Sequence, residues 1–167
     1  MTLIKSISGI RGTIGGKVNE GLTPIDAVKF AAAYGTWLKN RNTSNTLKVV
    51  VGRDARISGQ MISDLVISTL IGLGIDVVNL GLSTTPTVEM AVTMENAQGG
   101  IILTASHNPK QWNALKLLNE KGEFISGTDG EEVLSIADQE SFSFAEVDDL
   151  GKVTSRRVNI KVVNSTY

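Results

Sequence analysis

The sequence predicts an α/β fold, a three-layer α/β/α sandwich on a mostly parallel mixed sheet. Short runs rich in Val and Ile alternate with segments whose apolar residues recur at helical spacing. The runs are continuously apolar rather than alternating, as expected of strands covered on both faces. After Pro109 a hairpin-like stretch replaces the alternation of strand and helix, which makes the sheet mixed.

The elements follow in order. Residues 3–7 read as a strand, closed by Ser8-Gly9-Ile10-Arg11-Gly12, whose glycines permit a tight turn. The pair Gly15-Gly16 is too weak a signal for a nucleotide loop. The first helix has start signals: Thr23 as cap, Pro24 at the first helical position, and Asp26 beside the positive end of the helix. Ile25, Val28, Ala32, Gly35 and Leu38 recur as its apolar face, and polar residues 40–45 make a loop. Residues 47–52, LKVVVG, form the next strand, followed by Arg53-Asp54-Ala55-Arg56. Ser58 is the expected cap of a second helix, with Ile62, Leu65, Val66, Thr69 and Leu73 on one face and Gly74 at its end. Residues 75–80 are a strand, Thr85-Pro86 opens a third helix through Glu95, and residues 100–103 are another strand. Residues 114–119 and 123–126, joined by Glu120-Lys121-Gly122, read as a hairpin, and Thr128 as the cap of a helix over 129–138. The chain from 151 to 167 is expected to be a tail or the start of an interdomain linker, leaving residues 1–150 as the domain; its end, TSRRVNIKVVNSTY, reads as a strand or a disordered terminus.

Composition narrows the function. The chain has 167 residues, enough for one domain that buries roughly 70% of its unfolded surface. There is no cysteine, which excludes disulfides and Cys-based zinc sites and fits a reducing compartment. With 16 basic and 17 acidic residues there is no cationic excess to suggest nucleic acid or an anionic membrane. No segment has the length and apolarity of a signal peptide or a membrane span, so a cytoplasmic location is expected.

In an open parallel sheet, ligands bind beyond the carboxyl ends of the strands. Two loops qualify here: Arg53 to Arg56, and Thr104-Ala105-Ser106-His107-Asn108-Pro109, which contains the only histidine. If their strands are parallel, both loops share one edge and present Arg53, Arg56, Ser106, His107 and Asn108. Arginine forks beside a hydroxyl suit a phosphorylated ligand. The plainer readings are an Asn-Pro turn for the second loop, and arginines that are solvated or paired with Asp54 for the first. A serine hydrolase is a poor rival. Ser106 and His107 are adjacent, so in extended backbone they point to opposite sides, and no G-x-S-x-G elbow is present.

Four motifs in order, SGIRG (8–12), GRDAR (52–56), TASHNP (104–109) and NALK (113–116), resemble the N-terminal domain of the α-D-phosphohexomutases over residues 3–150. That group includes phosphoglucomutase, phosphomannomutase and phosphoglucosamine mutase. The resemblance implies that Ser106 carries a phosphoryl group and exchanges it between the 1- and 6-positions of a hexose phosphate, through a hexose 1,6-bisphosphate. It also implies that Arg11 and Lys116 flank the transferred group, with Lys116 as proton carrier. His107 and Asn108 would hold substrate or shape the loop, and GRDAR would support Ser106 from the neighbouring strand. Magnesium is implied, bound through the phosphate on Ser106 and otherwise by an acidic loop of a second domain that does not occur here. Domains II–IV, the sugar-specificity loop among them, are expected to be absent, so the sugar is not specified. The expected partners are therefore a hexose phosphate and those further domains, and exposed interdomain surfaces would favour self-association. A phosphoglucosamine mutase domain and a non-catalytic sugar-phosphate or protein-binding module are the alternatives. Ala114 stands where the family usually has Gly, so the loop before Lys116 is expected to differ in shape.

Overall fold

The computed structural model describes residues 1–6, 9–44 and 46–156. Ile7, Ser8, Asn45 and residues 157–167, to which strand, motif, loop and tail were assigned above, lie outside the described residues.

Seven strands form one sheet in the order β1-β2-β6-β5-β3-β4-β7. They are β1 (Ile4–Ser6), β2 (Gly9–Thr13), β3 (Lys48–Arg53), β4 (Asp76–Leu82), β5 (Gly99–Leu103), β6 (Trp112–Leu118) and β7 (Val153–Ser155). Parallel pairing joins β3 to β4 and β5, and β4 to β7, whereas β6 is antiparallel to β5 and β2, and β1 to β2. Five strands therefore point one way and only β1 and β6 the other, so the sheet is mixed and mostly parallel. Four α-helices, α1 (Pro24–Arg41), α2 (Gly59–Gly72), α3 (Thr85–Met94) and α4 (Gly127–Gln139), and a short 3₁₀ turn (Val147–Asp149) complete the described residues.

Two cores make the three layers. The larger, with Phe30, Tyr34, Ile62, Val66, Leu70 and Val133, packs α1, α2 and α4 on Val49, Val51, Ile101, Leu115 and Leu117. The smaller packs Val88, Ala91 and Val92 of α3 on Val50, Val78, Ile102 and Leu118. Successive strand residues feed opposite cores, which explains why the strands are apolar without alternation.

The main correction concerns Gly9-Ile10-Arg11-Gly12, expected as a turn and found as strand β2. Its glycines serve close approach: a Cβ on Gly9 would lie 2.2 Å from the Leu115 carbonyl oxygen, and one on Gly12 2.9 Å from Leu22 N. The cap at Thr23 forms as expected. Buried Asp26 accepts from the N–H groups of Thr23 and Asn19, both at 3.0 Å, and from the Thr23 hydroxyl at 2.6 Å. Ile25, expected on the buried face, is 62% exposed. It lies two residues from Ala27 and so about 200° from the stripe Ala27-Phe30-Tyr34-Leu38. Ser58 does not cap α2 with its side chain, because its backbone is already helical (φ −79°, ψ −7°); a cap requires an extended backbone. Ser126, not Thr128, caps α4, since Asp129 three residues on completes a capping box. Residues 123–126 contribute only a bridge, Leu118 to Phe124, because the chain must reach the cap at Ser126. Beyond the expected boundary at 150, β7 adds a strand beside β4.

Candidate active site

The register brings together the two loops singled out by sequence. Arg53 of β3 pairs with Leu103 of β5, and the Asp54 N–H donates to the Leu103 carbonyl at 3.1 Å. The loops Arg53–Arg56 and Thr104–Pro109 therefore leave one edge of the sheet side by side. Ser106 is exposed at the tip of its loop with φ at 54°, the left-handed region. A non-glycine residue there costs on the order of 1–3 kcal/mol and persists only where its surroundings hold it.

Lys116 and Arg11 reach the site from the other side. Lys116 of β6 pairs with Gly9 of β2, and Ala114 with Arg11. Side chains two apart on a strand share a face, so Arg11 and Lys116 project from the same face, diagonally across the β2–β6 pair. Gly9 and Ala114 opposite them are small and form the floor. Helix α3 packs over β3 and β5 on this face, so the β2–β6 end remains open. The result is a hollow of about 260 Å³ lined by Ser6, Gly9, Arg11, Ala114 and Lys116. Lys116 Nζ donates to Ser106 Oγ at 2.6 Å, which ties the serine loop to the edge of the hollow. Arg11 is exposed and its guanidinium has no hydrogen bond to a described residue.

The other expected residues separate. Arg53 turns away from Ser106: its guanidinium donates to the Asp54 carbonyl at 3.1 Å and to Gln60 Oε1 of α2 at 2.9 Å, beside a different hollow lined by Leu82, Ser83 and Thr87. Arg56, expected to bind phosphate, is committed to the protein. Its Nη1 donates to the Pro109 and Trp112 carbonyls at 2.8 and 3.1 Å. Its Nη2 donates to those of Ser106 and Asn108 at 2.9 and 2.8 Å, and its Nε to Asp54 Oδ2 at 3.3 Å. A guanidinium has five N–H donors, so none is left for a ligand. His107 is exposed and Asn108 half-buried; both lie on the Ser106 loop, and neither side chain bonds a described residue.

Two residues at the site were not among the site residues expected from the sequence. Thr104 Oγ1 donates to Asp54 Oδ2 at 2.6 Å and accepts the Ser106 N–H at 3.1 Å. A hydroxyl two residues before the serine was the available signal for Thr104. Asp54 offered only a local ion pair with Arg56, which does form, at 3.3 Å. Among the described residues no three His, Asp or Glu come together as metal ligands. Asp54 is occupied by Thr104 and Arg56. The described residues thus fit no magnesium site, beyond one oxygen that a phosphate on Ser106 would add. Among the described residues no helix is long and apolar enough to cross a membrane.

Comparison with known proteins bears on the family and the fold. Residues 3–144 match the family model for phosphoglucomutase/phosphomannomutase, alpha/beta/alpha domain I. The phosphoglucomutase/phosphomannomutase of Thermococcus kodakarensis is 46% identical over 113 residues, covering 66% of this chain and 25% of that protein. The phosphoglucosamine mutase of Ligilactobacillus salivarius is 34% identical over 151 residues, covering 89% of this chain and 33% of that protein. In fold, the chain is similar to a phosphoglucomutase/phosphomannomutase family protein of Burkholderia thailandensis, with a TM-score of 0.79 at 24% identity over 93% of this chain and 33% of that one. The chain thus spans a quarter to a third of the length of these relatives. With four ordered motifs on this fold and the family model matched from residue 3 to residue 144, the chain belongs to the phosphohexomutase family as its N-terminal domain I.

Proposed function

We propose that this domain carries the phosphoryl group of a hexose-phosphate mutase on Ser106. The observation that carries the reading is the 2.6 Å contact from Lys116 Nζ to Ser106 Oγ, at the edge of a hollow that also holds Arg11. Phosphoryl transfer relies on positioning and on cations around the transferred group. Arg11, whose guanidinium has no hydrogen bond to a described residue, and Lys116 meet that need.

A sugar hydroxyl oxygen bonds to the phosphorus of phosphoserine, and the bond from phosphorus to Ser106 Oγ breaks. The sugar hydroxyl loses one proton and Oγ gains one. Lys116 is the group that would carry this proton, taking it from the sugar hydroxyl and giving it to Oγ, and would run the same transfer in reverse when the bisphosphorylated sugar returns its other phosphate. His107 and Asn108, on the same loop, would contact the sugar phosphate. Magnesium, expected from the family resemblance, would draw most of its ligands from outside this chain and would offset charge on the transferred phosphoryl group. The substrate class is a hexose monophosphate, with the other domains of such enzymes closing the cleft.

Incubation with glucose 1,6-bisphosphate and magnesium, followed by intact mass and peptide mapping, tests the reading. One phosphate on Ser106, absent in Ser106→Ala, is expected. Phosphate on another residue, or none from the glucose, mannose or glucosamine bisphosphate, overturns it.

A further inference from the structure

We propose that Arg56, with Asp54 and Thr104, is a positioning brace that sets the backbone of Ser106, and that Arg56 does not bind the phosphate. The inference rests on the reading of Ser106 as phosphoryl carrier. Its geometry stands independently.

Both peptide groups of Ser106 are held by side chains. Its N–H donates to Thr104 Oγ1, itself fixed by donation to Asp54 Oδ2. Its carbonyl accepts from Arg56 Nη2. The same guanidinium gathers the carbonyls of Asn108, Pro109 and Trp112, so it spans the loop from Ser106 to the start of β6. Asp54 closes the arrangement by accepting from Arg56 Nε and from the Arg56 N–H. The Arg56 side chain is 12% exposed. Four carbonyl oxygens converging on one site need several donors, and a planar fork supplies them. Lysine has three donors on a point charge and cannot reproduce the pattern.

The brace explains how Ser106 keeps a left-handed φ of 54° without being glycine. In that conformation Oγ meets Lys116. Relaxation of Ser106 to the usual helical or extended regions redirects its Cβ, and with it Oγ, away from Lys116. Arg56 thereby acts on the reaction through Ser106 and touches no reacting atom.

NMR of the 167-residue chain tests this without requiring turnover. Wild type should give a strong intraresidue cross-peak between the Ser106 amide and α protons, the mark of positive φ. Arg56→Met and Arg56→Lys should both lose it, with the core methyls of Val49, Val51 and Ile101 unmoved. Thr104→Val, which keeps the branched shape at the strand end, should lose it too. In wild type, the Arg56 guanidinium protons should exchange slowly and stay unmoved as inorganic phosphate is added, while Arg11 signals shift. The proposal is overturned if Arg56→Lys keeps the cross-peak, or if phosphate shifts the Arg56 guanidinium. Failure of Ser106 to take phosphate, with the cross-peak intact, would remove the mutase reading and leave the brace. Phosphate uptake with the cross-peak retained in Arg56→Lys would do the reverse.

Discussion

Tyr34→Phe removes one oxygen atom from the interior and loosens the strand pair that carries the site. Tyr34 stands on α1, fully buried. Its hydroxyl accepts from the Gly100 N–H at 3.0 Å and reaches the carbonyls of Leu118 and Gly100. Gly100 and Leu118 are register partners across β5 and β6, so the phenol bridges the first rung of that ladder. Glycine at 99 makes this possible, because a Cβ there would lie 2.1 Å from the hydroxyl oxygen. Phenylalanine leaves the Gly100 N–H and the Leu118 carbonyl without this partner. An unsatisfied buried group costs about 1–3 kcal/mol, so the pair costs roughly 2–6 kcal/mol. At about 2–4 °C per kcal/mol for a chain of this size, Tm should fall by roughly 4–24 °C. Thermal unfolding followed by circular dichroism at pH 7 reads this directly. A Tm within about 1 °C of wild type, on the same scale, would refute the bridging role.

The same variant has a pH signature. Burial raises the Tyr34 phenol well above its ordinary value, since the charged phenolate is penalised in the interior. The unfolded chain therefore loses this proton first as pH rises. Stability owed to the neutral phenol is complete below a pH of about 10 and is lost progressively above it. The Tm gap between wild type and Tyr34→Phe should be constant in neutral solution and shrink above that pH. A gap that widens there would contradict the burial argument.

Gly9→Ala should separate β2 from β6, because its Cβ would lie 2.2 Å from the Leu115 carbonyl oxygen and 3.0 Å from the Lys116 Cα. Hydrogen exchange should show faster amides in β2, and unchanged protection there would show that the strands can shift apart at no cost. Lys116→Met should slow phosphate uptake by Ser106 by roughly 10²–10⁴, the range of a general acid–base group. A wild-type rate in that variant would remove Lys116 from the proposed proton transfer.

Most of the helices were legible because their signals are local. Thr23, Pro24 and Asp26 sit within one turn, and the capping box they form needs no distant partner. The strands at 47–52, 75–80 and 100–103 were legible as apolar runs too short for helices. Strand β2 was not legible. Gly9-Ile10-Arg11-Gly12 has the composition of a turn, and only the closeness of the Leu115 and Leu22 backbones explains its glycines. The cap at Ser58 failed because its backbone is already helical, and its hydroxyl accepts from Asn113 Nδ2, a partner 55 residues away.

By itself, the sequence determined the layered α/β class, the family and the identity of Ser106, Arg11 and Lys116 as residues of interest, because periodicity and ordered motifs are properties of the chain. What each residue does at the site was decided by tertiary structure. Arg53 and Arg56 stand three apart in one motif and looked equivalent. The fold turns Arg53 toward Gln60 on α2 and wraps the Ser106 loop around Arg56. Lys116 and Ser106 are ten residues apart, and their contact exists because β6 runs back antiparallel beside β5. Donor counts and distances depend on where the chain returns to itself, and that return is set by packing over the whole sheet rather than by any local stretch.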